Sequence, residues 1–470
     1  MSFSKLKYCT ARFSDKPAII TRESVTTWGE LLTIVNEKAG YFAKKFSRNE
    51  IVPLLSENSR EFITTVYALW KIGALPAPLN TMYSDAQIKE VLEIVGAKRI
   101  VVSKKLEKKF AFAESIPIDE NFTTLKNSTA KTNENPNALI LFTSGSTAFP
   151  KAVKFSFENL RANAENVVKY FNANENDAWL ATLPFYHIGG FAMITRASSV
   201  CAPLVFPRSL SFENIRDALA THKPAFFSLV MTTLKRLTES GAESYDELKA
   251  VLAGGGPIDA TTMRKAIGLG FPVYKVYGST ETTSMITVLS PNDFLHKPEA
   301  AGKPFGAVNV ELSDDNEITV SGKQIVSGYF NNSAETTKRF KNGKFFSGDI
   351  GKFDENGFLY ILGRKADFII SGGENVNLQK VKKTILSLAE ISDAETFALP
   401  DREWGEKLCA VVVSSKENIT ETEIKRKLKE KLAAFEIPKT IYFMDEIPRD
   451  KLGKAKKKEI TKSILRDENF

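Results

Sequence analysis

The sequence predicts an α/β protein, and three observations point that way. Helical patterns alternate with short apolar runs over residues 17–125. The alternation resumes over 138–290, where glycine clusters directly follow the apolar runs. Between about 300 and 363 the pattern shifts to short alternating strands, and after Arg364 it returns to helix and strand in turn. Such βα alternation argues for a mostly parallel sheet, because each parallel crossover needs a helix-length return.

Taken in order, LLTIVNEKAGYFAKKF has the period of an amphipathic helix. EFITTVYALWKIGALPAPLN reads as a helix running through Gly73 into a strand, and KEVLEIVGAKRIVVS repeats that order. The stretch KNSTAKTNENPN (126–137) is polar and breaker-rich, a loop or linker between units. VNVELSDDNEITVSGKQIVSGYF and GKFDENGFLYILG carry Asn-Gly and Asp-Glu-Asn-Gly turns, hence hairpins and a small barrel or sheet. FIISGGENV, a helix at LQKVKKTILSLAE, the strand KLCAVVVSS and a helix near 420–434 fill the tail. That tail of about 100 residues suffices for a separate small domain.

With 470 residues, 43% hydrophobic and 26% charged, the chain has room for about three structural units. Both fractions sit near the globular average, which excludes extended disorder, collagen and coiled coil. Cys9, Cys201 and Cys409 are odd in number and widely spaced. They build neither a disulfide framework nor a CxxC zinc site, and so point to a reducing cytoplasm. His187, His222 and His296 are too scattered for HExxH, which removes hydrolysis by a histidine-caged metal. No stretch approaches the ~18 apolar residues of a membrane span, and the first twenty residues lack the apolar core of a signal peptide. A net charge of +8 is a weak nucleic-acid signal and equally suits a protein that handles polyanionic small molecules.

Four segments carry chemistry. In ALILFTSGSTAFPKAV (138–153) an apolar strand runs into Thr143, Ser144, Gly145, Ser146 and Thr147, then Lys151. Small hydroxyl residues around a glycine leave N–H groups free to cradle phosphate oxygens, and a lysine offsets their charge. A plain serine-rich turn would account for the loop alone about as well. It is not a Walker A loop, and no G-x-S-x-G elbow of a serine hydrolase occurs in the chain. LAGGGP (252–257) and VYKVYGSTETTSM (273–285) each read as a strand ending in glycine, as expected at the carboxyl edge of a parallel sheet. Within them Tyr277 offers an aromatic face to a purine, Gly278 permits close approach, and Glu281 is a lone carboxylate suited to Mg²⁺. In FFSGDIGKFDENGFLYILGRKADFIISGGEN (345–375), Asp349 reads as part of a tight SGD turn where it could accept from ribose hydroxyls. Arg364 follows a strand at the shift in composition. Last, IPRDKLGKAKKKEI (447–460) places Lys454 after Gly453 beside a basic run of the kind that usually forms a solvated face.

In this order and spacing the four segments resemble the acyl-adenylate-forming superfamily of acyl- and aryl-CoA ligases, luciferases and peptide-synthetase adenylation domains. The resemblance extends to KPAIITRESVTTWGELL and ENSREFITTVYALWKIGALPAPLNTMYSDAQI, so it covers nearly the whole chain. Within the superfamily, LATLPFYHIGGFAMITRA, SLVMTTLKRL, LAGGGPI, YGSTETTSMITVLSP and ISGGENV are most similar to the o-succinylbenzoate–CoA ligase subgroup of menaquinone biosynthesis. Ala148 and Ala152 stand where the wider family often has glycine, and Ala366 replaces a polar residue near the expected hinge.

The resemblance implies a large N-terminal domain (1–364) of two α/β subdomains plus a small β-barrel, and a mobile α/β C-terminal domain (365–470) pivoting at Lys365–Ala366. It implies an ATP-dependent, AMP-forming acid–CoA ligase that uses Mg²⁺, with CoA as co-substrate. The alternatives are another aryl- or medium-chain acyl-CoA ligase, a protein loading a carrier thiol, or a non-catalytic nucleotide-binding relative. Residues 143–151 would hold the departing phosphates and Glu281 the magnesium. Tyr277 with Gly255 and Gly256 would frame adenine beside Gly278, Ser279 and Thr280, and Asp349 and Arg364 would grip the ribose. Lys454 would bridge the α-phosphate and the reacting carboxylate. His187, Arg196, Gly254 and Thr282 would line the acid, with His187 gating thiol entry and Arg196 reading a second carboxylate. The expected partners are a small-molecule carboxylic acid, ATP and CoA, with no nucleic acid and no integral membrane association. A homo-oligomer is compatible with the sequence.

Overall fold

The computed structural model describes residues 3–106, 110–118, 136–143, 150–371, 374–401, 404–415, 419–449 and 455–467. Local signals set its helices. Thr27 and Glu30 form a capping box that starts the helix Trp28–Phe42, and Ser84 with Gln87 does the same for Asp85–Val95. Gly73 does not lie within a helix: Arg60–Ile72 stops before it, and Gly73 turns the chain with φ 79 into the strand Leu75–Pro78. Glycine takes that left-handed position without the steric cost a Cβ would add.

The largest sheet has nine strands, in the order Lys303–Pro304, Ser284–Leu289, Val273–Ser279, Ala250–Ala253, Phe226–Leu229, Trp179–Leu180, Leu204–Val205, Pro17–Ile20 and Val25–Thr27. The six strands from Val273–Ser279 to Pro17–Ile20 run parallel, and the flanking strands are antiparallel. Phe226–Leu229 is buried along its whole length, as a central parallel strand covered on both faces should be. A second, wholly parallel sheet orders Leu75–Pro78, Ile51–Leu55, Arg99–Val102 and Glu114–Pro117. Asn137–Thr143 and Lys151–Ser156 form a separate antiparallel pair.

Hairpins appear where the turn residues predict them. Asn342 and Gly343 have φ 52 and 73, the double positive φ of a two-residue hairpin, and join Phe340–Lys341 to Lys344–Phe353. The expected small β unit contains a five-stranded sheet in the order Asn309–Leu312, Glu317–Ser321, Lys344–Phe353 and Phe340–Lys341, with Leu359–Arg364 also paired to Lys344–Phe353.

The chain packs as two units. The first comprises Met1–Ser313, Ile318–Ser347 and Lys352–Tyr360, and the second Asp314–Glu317, Gly348–Gly351 and Ile361–Phe470. In the second, Gly405–Ser414 pairs with Ile391–Asp401, Phe368–Ser371 and Thr440–Phe443, backed by the helices Leu378–Leu386 and Glu421–Lys429. Among the described residues, no helix is long and apolar enough to cross a membrane.

One expectation is overturned. Cys9 and Cys201, 192 residues apart, form a disulfide, and Cys409 is a buried thiol outside it. Sequence spacing hid the pair because the helices Phe3–Phe13 and Ile188–Val200 meet only in the folded chain. The cysteine count therefore no longer argues for a reducing compartment. Closing so long a loop is worth up to about 5 kcal/mol on a chain-entropy basis. Thiol titration of the unfolded, unreduced protein should find one thiol, and three after reduction. Three thiols before reduction would show that the bond does not form.

Candidate active site

In the first unit the phosphate-loop segment is anchored at both ends by the hairpin in which Thr143 faces Lys151. Ser144, Gly145, Ser146 and Thr147, with Ala148, lie outside the described residues. Ala152 needs no glycine: it is buried in an ordinary strand, and its carbonyl accepts from the Phe330 N–H at 2.7 Å. That bond, with Lys154 N–H donating to the Gly328 carbonyl, lays residues 328–330 along the strand.

The same contact brings Tyr329 between two predicted site residues. Its hydroxyl donates to Glu281 Oε1 at 2.8 Å, and its ring centroid lies 5.5 Å from Lys151 Nζ. Burial, reinforced by Glu281, raises the tyrosine's pKa and keeps it a donor. Lys151 Nζ is paired with Glu335 Oε1 at 2.6 Å, and Arg339 Nε approaches the same oxygen at 3.3 Å. Burial alone would raise the Glu335 pKa, but the Lys151 and Arg339 bonds outweigh it and lower it. Glu281 Oε2 makes no hydrogen bond among the described residues. One aimed carboxylate with a spare oxygen fits the way Mg²⁺ is held, by one or two carboxylates together with substrate phosphates.

The carboxyl ends of two adjacent parallel strands supply the next group. Ala250–Ala253 runs into Gly254, Gly255 and Gly256, beside Val273–Ser279 with Tyr277, Gly278 and Ser279. Gly255 has φ 83. A Cβ on Gly254 would lie 2.9 Å from the Val276 carbonyl oxygen, and one on Gly278 only 2.0 Å from that of Ser284. Neither position tolerates a side chain. Tyr277 and Thr280 are half-buried and Thr282 is buried. The turn is tied by Ser279 N–H donating to Thr282 Oγ1 at 2.8 Å, and by Gln324 Nε2 donating to the Thr282 carbonyl at 2.9 Å.

His187 is the N-cap of the helix Ile188–Val200, where its side chain makes no capping bond. It is exposed. Its ring meets Tyr186 edge-on at 4.7 Å, and partial burial lowers its pKa.

Arg196, on the same helix, is 1% exposed. Its Nε and Nη2 both donate to Asn163 Oδ1, at 3.3 and 3.0 Å, and Nη2 also reaches Ser284 Oγ at 3.1 Å. No carboxylate pairs with it among the described residues. Burial, which disfavours the charged form, pushes its pKa down to about 9.

In the second unit Arg364 Nε meets Asp349 Oδ1 at 3.0 Å. Asp349 is not in a tight turn: it lies within the strand Lys344–Phe353, after Gly348 at φ 76, and Arg364 is the last residue of Leu359–Arg364. The pairing of strands overrides the local Ser-Gly-Asp turn signal. The expected pivot is a short 3₁₀ turn, Lys365–Asp367, with Ala366 exposed. Asp315 and Glu317 hold the Lys365 ammonium at 2.5 and 2.8 Å and raise its pKa. Lys454 lies outside the described residues. Sequence reasoning missed Tyr329, Glu335, Asn163 and Ser284, whose roles depend on partners 33 to 184 residues away.

Similarity to known proteins extends over nearly the whole chain. The AMP-binding enzyme family model matches residues 6–330, and the model of that family's C-terminal domain matches 380–454. The chain is 32% identical over 468 residues to a 2-succinylbenzoate–CoA ligase of Bacillus cereus (strain Q1), covering 96% of each. It is 31% identical to one of Geobacillus sp. (strain WCH70), covering 97% of this chain and 96% of the relative. The structure of o-succinylbenzoate CoA synthetase from Bacillus subtilis in complex with its acyl-adenylate intermediate is 28% identical, with TM-score 0.81 and 97% of each chain covered. The same enzyme in complex with ATP and magnesium ion is 27% identical, with TM-score 0.80 and 97% and 99% covered. With both its large and its C-terminal domain matched, the chain belongs to the AMP-binding enzyme family.

Proposed function

We propose that the chain is an ATP-dependent, AMP-forming 2-succinylbenzoate–CoA ligase. The substrate carboxylate attacks the α-phosphorus of ATP, forming a mixed anhydride and releasing pyrophosphate. The CoA thiolate then attacks the acyl carbon, forming the thioester and releasing AMP. No enzyme atom is covalently modified, so catalysis rests on positioning and on charge placed where it develops.

Lys151 offsets phosphate charge, and its Glu335 partner holds it until the nucleotide arrives. Glu281, aimed by Tyr329, takes the magnesium, which neutralises phosphate charge when bound. Tyr277 with Gly255 and Gly256 lines the base, Gly254 and Thr282 line the acid, and Gly278 lets ligand approach the backbone. Asp349 and Arg364 are assigned the ribose, Lys454 the α-phosphate and reacting carboxylate, and His187 the entry of thiol. Residues 1–364 and 365–470 are the corresponding functional domains.

The identity of the acid rests on Arg196, a buried guanidinium with no carboxylate partner among the described residues. 2-Succinylbenzoate has two carboxylates, one activated and one left over, and the second supplies the missing anion. Fatty acids and simple benzoates leave Arg196 stranded. The test is a panel of carboxylic acids scored for AMP release with CoA, and with a carrier thiol in its place. 2-Succinylbenzoate with CoA should give the highest kcat/KM. Preference for a monocarboxylic acid, or for the carrier thiol, would replace this reading by one of the alternatives.

A further inference from the structure

Resting on that reading, we propose that Asn163 is a specificity-determining residue whose Nδ2 donates, beside the Arg196 guanidinium, to the non-reacting carboxylate of the diacid. Asn163 lies in the helix Phe157–Phe171 and is 1% exposed. Two donors of Arg196 converge on its Oδ1, which fixes the amide orientation. The flipped amide would point its own N–H groups at a cation. Asn163 Nδ2 is therefore the atom not engaged by the guanidinium, and it is buried with no hydrogen-bond partner among the described residues.

A second unpaired group stands nearby. Ser284, which accepts from Arg196, is directly opposite Ser279 across the hairpin, and Ser279 Oγ is likewise buried without a partner among the described residues. Among the described residues, a cation with no counter-anion and two unsatisfied polar atoms thus share one buried neighbourhood, next to the glycine-lined strand ends. Buried polar groups are almost always satisfied, and an exception calls for an explanation such as an absent ligand. A carboxylate, with about four acceptor sites, answers the cation and the amide together. A neutral aryl ring answers neither. Were Asn163 only a brace for Arg196, its second amide face would carry no substrate information.

The experiment compares 2-succinylbenzoate with 4-oxo-4-phenylbutanoate, the same acid lacking the ring carboxylate, in the wild type and in Asn163→Asp. The aspartate supplies Arg196 with an internal counter-ion and removes the donor. The ratio of kcat/KM for the diacid over the monoacid should fall at least tenfold, chiefly through KM for the diacid. KM for ATP should be unchanged and the melting temperature should not drop. Asn163→Ala, which removes the donor without adding charge, should lower the ratio less, and it decides the matter should the aspartate variant fold poorly. An unchanged ratio in a folded variant overturns the role of Asn163 while leaving the diacid reading intact. A wild type that does not prefer the diacid overturns both.

Discussion

Replacing Lys454 by alanine should lower acyl-AMP formation by a factor of 10² to 10³, while the variant still makes thioester from supplied acyl-AMP. A cation that meets charge only as the carboxylate attacks the α-phosphate is worth ~3 kcal/mol in the transition state. Nothing comparable is lost in the thioester step, where the departing group is AMP. The competing reading is one more lysine in a basic run, but that run is not uniform. Arg449, before it, is held by both oxygens of Asp393 at 2.7 and 2.8 Å, and Lys456, after it, pairs with Glu459 at 3.0 Å. Arg449 and Ala455 form an antiparallel β-bridge. ATP–pyrophosphate exchange measures the first half-reaction and thioester yield from acyl-AMP the second. Equal loss in both would signal misfolding and remove the assignment.

The framework was legible because its signals are local. Capping boxes at Thr27 and Ser84, the αL cap at Gly73 and the Asn342–Gly343 turn each act over a few residues. Glycines after Ala253 and Tyr277 marked the carboxyl edge of the sheet because backbone must come close there, and a Cβ at Gly278 is sterically forbidden. What sequence could not carry is which side chains meet across elements. Tyr329 orients Glu281 from 48 residues away, and Glu335 holds Lys151 from 184 away. No period or turn motif encodes either pair. The Cys9–Cys201 bond is the same case, and an odd cysteine count misled because only tertiary packing decides which thiols meet. Asp349 failed differently: a turn signature lost to strand pairing, which satisfies more backbone groups than an isolated turn would.

Arg196→Ala should raise KM for 2-succinylbenzoate tenfold or more and leave KM for ATP unaltered. A charge-assisted hydrogen bond contributes about 1.5–3 kcal/mol, or roughly a factor of 10 to 150 in binding. The loss should be confined to acids with a second carboxylate, since 4-oxo-4-phenylbutanoate makes no such bond. Stability separates this role from a structural one. Removing one member of a buried ion pair is strongly destabilising because the partner is left charged and alone. Arg196 has no such partner among the described residues: its acceptors are the neutral Asn163 and Ser284. Truncation therefore relieves an uncompensated buried charge, and its thermal cost should be limited to lost packing and to the neutral acceptors Asn163 and Ser284 left unpaired. A structural brace would instead show a large fall in melting temperature and equal loss with both acids. Unaltered affinity for 2-succinylbenzoate in the folded variant would show that the guanidinium does not read the substrate.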